Sequence, residues 1–95
     1  GASPLHVASA EGNEECARLL LANGADVSAK RSNGAIPMQV AARGGFVSVV
    51  RMLLANGSDL SAKDTDGRTT LHYACCEGRE AVPLLLIQNG ADVSA

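Results

Sequence analysis

His72 and Cys75 stand three residues apart. On a helix that spacing puts both side chains on one face, and an imidazole beside a thiolate is the beginning of a zinc site. Structural zinc takes four ligands, and no second pair of ligand residues is spaced to complete the set. The pair is therefore expected to be structural, and His6 likewise. Cys75 is expected to serve as a small core hydrophobe, with its neighbour Cys76 facing outward. Nothing basic adjoins Cys76 in the chain to lower its pKa, so no redox role is expected of it. Asn56-Gly57-Ser58 carries the N-x-S glycosylation pattern, but at a helix end in a chain without secretory features, and no glycan is expected there.

A catalytic reading would need a nucleophile beside a base, a paired acid and base, or a phosphate loop. The chain has no Gly-x-x-x-x-Gly-Lys-Ser run and no Gly-x-Ser-x-Gly elbow. It is expected not to be an enzyme, and to need neither cofactor nor metal. Three cysteines without a spaced framework argue against a disulfide scaffold and for a reducing compartment, hence cytoplasm or nucleus. A net charge of −2 gives no reason to expect nucleic acid or an anionic membrane as partner. No apolar run approaches the roughly 18 to 20 residues that span a bilayer.

What positions these residues is a period. Asn23-Gly24-Ala25-Asp26-Val27-Ser28-Ala29-Lys30 returns as Asn56-Gly57-Ser58-Asp59-Leu60-Ser61-Ala62-Lys63 and again from Asn89 to Ala95, at a step of 33 residues each time. A fixed step of that size marks stacked repeats. The units run 1–30, 31–63 and 64–95 in one domain, expected to be part of a longer array. The 95 residues are 46% apolar with one Phe, one Tyr and no Trp, so the core must be built from Leu, Val and Ala. A chain this short buries only about 60 to 65% of its unfolded surface, and a single repeat cannot stand alone.

Each unit reads as helix, turn, helix and projecting hairpin. Ser3 can cap a first helix that begins at Pro4, and Thr69 can do the same in unit three. Unit two has Ile36-Pro37, which keeps the proline and loses the cap, so that end is expected to fray. Gly12, Gly45 and Gly78 close the first helices. Second helices are expected near Glu14 to Ala22, Val47 to Ala55 and Glu80 to Gln88. Their apolar faces would hold Cys16, Leu19 and Leu20, then Val49, Val50, Leu53 and Leu54, then Val82, Leu85 and Leu86. Gly24, Gly57 and Gly90 would end them. Pro83 inside the third of these predicts a late start or a bend. Glu14 and Arg18 stand at the favourable i, i+4 spacing. Asn33-Gly34 and Asp66-Gly67 mark the two hairpin tips.

This pattern resembles the ankyrin repeat over essentially the whole chain. Asp64-Thr65-Asp66-Gly67-Arg68-Thr69-Thr70-Leu71-His72-Tyr73-Ala74-Cys75 follows the family's D-x-x-G-x-T-P-L-H-x-A-A run, and Leu19 to Val27 follows its LL…G-A-D-V run. The resemblance implies an all-α solenoid of helix–turn–helix units with projecting β-hairpin turns. It implies structural roles for His6 and His72, which stiffen neighbouring units. Three positions depart from the pattern. Ile36-Pro37-Met38-Gln39 replaces Thr-Pro-Leu-His, Arg31 stands where a turn-bracing Asp is usual, and Pro83 interrupts a helix.

By the same resemblance the function is protein–protein recognition, with another protein or a peptide held on the concave face. The contact positions on the tips are Lys30, Arg31, Ser32, Asn33, Ala35, Lys63, Thr65, Asp66 and Arg68. On the first helices they are Ala10, Glu11, Arg43, Gly44, Cys76 and Glu77. Tip one is basic and Arg43 is expected to face the same groove, with Glu11 and Glu77 flanking it. An acidic partner group near Arg31 and Arg43 is expected, with an apolar group over Gly44. Leu84 sits where units one and two carry Arg18 and Arg51, an exposed apolar residue in a charged position. The chain is expected to be monomeric. The alternative is a structural spacer or self-association segment working through its terminal repeats, or the non-catalytic arm of a larger enzyme or channel.

Overall fold

The computed structural model describes residues 3–75 and 81–89. Six helices lie among them: α1 (Pro4–Glu11), α2 (Glu14–Ala22), α3 (Pro37–Gly44), α4 (Val47–Ala55), α5 (Thr70–Cys75) and α6 (Ala81–Gln88). The first helices α1, α3 and α5 pack in one row, and the second helices α2, α4 and α6 in another, each pair also packing within its unit. No β-strand forms among the described residues.

The rows approach closely because small residues fill the contact. Ala8, Ala17, Ala41, Ala42 and Ala74 are all at most 2% exposed. Leu5, Met38, Leu53 and Leu86 supply the large buried volume between them. Val49, Val50 and Val82 complete the apolar face of the second row. In unit one that face is incomplete: Cys16 is exposed, and Leu19 is 56% exposed. The 3.6-residue pattern is right there, but no described unit lies on that side to cover it.

The ends of the helices follow local chemistry. Ser3 Oγ accepts the His6 amide, and the Ser3 amide donates back to His6 Nδ1 at 3.1 Å. Gly12 and Gly45 take the left-handed conformation at φ 67° and 75° and close α1 and α3. Asn13 Oδ1 caps α2 by accepting the Cys16 amide, whereas Phe46 in the same place on α4 has no capping group. At the other end of each second helix an asparagine turns its side chain back. Asn23, Asn56 and Asn89 each donate from Nδ2 to the carbonyl four residues earlier at 2.8 Å. That bond ties up the Asn56 side chain, and Ser58 beside it is buried.

The structure changes several of the sequence expectations. Arg18 pairs with Glu15 at i, i+3, not with Glu14. Cys75 is exposed and is no core residue. Its counterparts one and two periods earlier, Ala42 and Ser9, are buried at 1% and 0% because the next unit covers them. Ile36 has no capping side chain, yet its amide donates to Gln39 Oε1 at 2.8 Å, so that end is held from within the helix. Pro83 falls in the first described turn of α6, half-buried. Gly78, Glu80 and Gly90 lie outside the described residues.

Candidate binding surface

The tips are built by main-chain bonds and then locked to each other. In tip one the Arg31 amide donates to the Ala35 carbonyl at 3.0 Å, and the Gly34 amide to the Arg31 carbonyl at 2.8 Å. Asn33 Oδ1 accepts the Ala35 amide, supplying the brace that an aspartate at position 31 would have given. Tip two repeats the pattern from Asp64 to Arg68. The Asn33 carbonyl then accepts twice from Thr65, from its amide and from its hydroxyl, both at 3.0 Å. Gly34 is pressed into this junction at φ 81°, where a Cβ would meet the Thr65 nitrogen at 2.8 Å.

Asp64 is the anchor of tip two. Its Oδ1 accepts the amides of Asp66 and Arg68, both at 2.9 Å. Its Oδ2 accepts the Tyr73 hydroxyl at 2.5 Å. That phenol bond, with help from the two amides and the Arg68 charge, outweighs burial and holds the carboxyl below the usual aspartate range. Burial pushes Tyr73 up to about 12, and its bond to Asp64 adds to the shift. Arg31 lies close enough to the phenol to oppose the shift weakly.

A second set of bonds ties unit to unit. His6 Nε2 lies 2.8 Å from the Ala35 carbonyl. A carbonyl only accepts, so the proton sits on Nε2 and leaves Nδ1 to accept from Ser3. Gln39 does both jobs in unit two. Its Oε1 holds the Ile36 amide, and its Nε2 donates to the carbonyls of Ala62 and Arg68, each at 3.1 Å. Gln39 is fully buried. In unit three His72 Nδ1 accepts from the Thr69 amide and meets its hydroxyl at 2.8 Å.

Most of the proposed contact positions are surface. Lys30, Ser32, Asn33, Arg43, Lys63, Thr65, Asp66 and Arg68 are exposed, as are Ala10 and Glu11, and Arg31 is half-buried. Ala35 is different. It is 1% exposed, with its amide taken by Asn33 and its carbonyl by His6, so its side chain offers a partner no contact area. Gly44 is not open either. A Cβ there would stand 2.4 Å from the ring of Phe46, and one on Gly12 would stand 2.5 Å from the same ring. The apolar group over Gly44 is the chain's own Phe46, wedged between two glycines of adjacent units. Cys76 and Glu77 lie outside the described residues.

The charges on the tips are used unequally. Arg68 bonds Asp66 at 3.1 Å, and Asp64 is spent on its turn and on Tyr73. Lys30, Arg31, Arg43 and Lys63 make no ion pair among the described residues. No group of three or more His, Cys, Asp and Glu side chains is gathered among the described residues as a metal site would require. No helix among them is long and apolar enough to cross a membrane.

Two rows of short helices, joined unit to unit by side chains that reach a neighbour's carbonyls, define an α-solenoid repeat protein. The family model for ankyrin repeats matches residues 5–95 in three copies, and the chain belongs to the ankyrin-repeat family. None of the curated proteins matches it. Ankyrin-repeat domains are generally protein–protein interaction modules and are typically non-catalytic.

Proposed function

We propose that the face made by the turn tips and first helices holds an acidic segment of a partner protein. The observation that carries this reading is the charge left over at the tips. Asp64 is bound inside the turn of tip two and Asp66 pairs with Arg68, while Lys30, Arg31 and Lys63 keep unpaired charge among the described residues. Arg43 adds a fourth cation at the C-terminal end of α3. Guanidinium groups suit a carboxylate partner, since the planar fork can bond both oxygens. The tips are locked together through Asn33 and Thr65, so these cations are presented on a stiff frame, and little ordering entropy is lost on binding. Residues that differ from unit to unit, such as Arg31 against Asp64, would set which partner sequence is chosen.

A peptide-display screen on the chain and on an Arg31→Glu, Arg43→Glu variant tests the reading. Acidic peptides are expected to enrich on the parent and to drop out on the variant. Enrichment of the same peptides by both would overturn it. Binding should also weaken steeply with salt, because the charges are exposed and screened within about 8 to 10 Å at physiological ionic strength.

A further inference from the structure

The second helices leave a groove at each junction between units, and the two grooves are built alike. Arg18, Leu21 and Ala22 of α2 line the first with Met52 and with Asn56, which ends α4. Arg51, Leu54 and Ala55 of α4 line the second with Leu85 and with Asn89, which ends α6. In each an exposed arginine stands beside half-buried apolar side chains. Both grooves lie at junctions inside the chain.

Their charge balance differs. Arg18 pairs with Glu15 of its own helix. One period later Ser48 replaces Glu15, and Val47 replaces Glu14. Helix α4 therefore has no carboxylate, and α6 has no charged residue at all. Arg51 makes no ion pair among the described residues. It is the single charge on the two helices that wall the second groove. That groove is also the larger, about 400 Å³ against about 220 Å³. Asn89 donates from Nδ2 to the Leu85 carbonyl at 2.8 Å, which leaves its Oδ1 as an acceptor.

We propose that the groove between α4 and α6 holds a short segment of a partner protein in which an aspartate or glutamate adjoins a large apolar residue. The carboxylate pairs with Arg51 and fills the place that Glu15 fills for Arg18. The apolar side chain lies on Leu54, Ala55 and Leu85, and its removal from water drives the contact. Asn89 Oδ1 accepts a main-chain N–H of the segment. The groove is open along the surface rather than enclosed, which suits a chain laid across it. Charge complementarity selects this occupant. A basic segment would meet a cation and no anion. A purely apolar one would cover the guanidinium without pairing it, which costs hydration. The site lies on the second helices and is independent of what the tips bind, so a chain using both would hold two partners at once.

The test uses the Arg31→Glu, Arg43→Glu chain as bait, so that the tips are already altered. Random displayed peptides are selected on it, and the same chain with Arg51→Glu added is the counter-screen. Peptides with Asp or Glu beside Leu, Ile, Met or Phe are expected to enrich on the bait and to drop out on the counter-screen. A synthetic copy of an enriched peptide is then titrated against the bait with Ser48→Glu, which gives Arg51 the partner that Glu15 gives Arg18. Ser48 is exposed in the first turn of α4, where an added carboxylate favours the helix. This variant is expected to melt no earlier than the bait and yet to bind about tenfold more weakly, the worth of one charged hydrogen bond. Ser48→Gln, of the same length without the charge, is expected to bind as the bait does. The proposal is overturned if no peptide enriches, if the enriched peptides survive Arg51→Glu, or if Ser48→Glu binds them as well as the bait. A bait that sediments as a dimer until Arg51→Glu is introduced would place a second copy in the groove and overturn it too. None of these outcomes bears on the tips, which are tested on the parent chain.

Discussion

Tyr73 is the single tyrosine of the chain and there is no tryptophan, so its ionisation can be followed by absorbance without interference. Burial and the bond to Asp64 raise its pKa to about 12, against roughly 10 for a free phenol. The folded chain is expected to titrate near that higher value, and the urea-unfolded chain near the ordinary one. The sign for stability follows. A phenol whose pKa rises on folding contributes stability below about 10, and that contribution is lost as pH climbs toward 12. Asp64 behaves oppositely, because the Tyr73 hydroxyl holds its carboxyl low. Its contribution is present above the ordinary aspartate value and is lost as pH falls through the lowered one. Tyr73→Phe removes the largest cause of that lowering. Urea midpoints measured from acid to neutral pH should therefore change less steeply in the variant than in the parent. Little of this pair was legible in the sequence. Asp64 could be named as a turn brace, but its second oxygen meets a residue nine positions on that lies in a different element.

At the scale of the elements, the 33-residue step with its cap, proline and glycine signals placed α1 to α4 to within a residue or so, and the start of α5 and the end of α6 with them. What it missed are contacts that cross between units. Gly44 read as open space, because nothing about a glycine at a helix end says which ring will come to rest on it. The structure fills that space with Phe46, and a substitution series can measure the fit. Gly44→Ala should destabilise the parent, since the new methyl would overlap the ring. In a Phe46→Ala background the overlap is gone. There the same change should be neutral, or stabilising by up to about 1 kcal/mol, the helix preference of alanine over glycine. Urea midpoints of the four chains give the coupling, and additive effects would show that the ring does not press on Gly44. Gln39 is the second such case. The departure from the family's histidine was legible as a change, but its outcome was not. A longer amide reaches both the helix-start amide behind it and two carbonyls ahead, so Gln39 makes in unit two the kinds of bond that His6 makes in unit one to the Ser3 amide and the Ala35 carbonyl.

For the molecule as a whole, exposure is set by place in the row more than by residue type. Leu19 and Met52 share a register and differ in burial, as do Cys75 and Ala42. A helical pattern identifies an apolar face without saying whether a neighbour covers it, so Leu19 reads correctly onto that face and still stands exposed, and Cys75, read as a core hydrophobe, is exposed for the same want of cover. The bonds between units carry a different consequence. His6 and Gln39 both reach main-chain carbonyls, at Ala35, Ala62 and Arg68. A carbonyl is present whatever side chain the position carries, so the joint makes no demand on the identity of the residue it grips. Copying one unit in tandem, as unequal crossing-over does to a gene, would leave every such joint with an acceptor. A chain carrying residues 31–63 twice in succession is expected to fold as four units, with a higher urea midpoint than the parent. This architecture can lengthen by whole units without first evolving a matching surface.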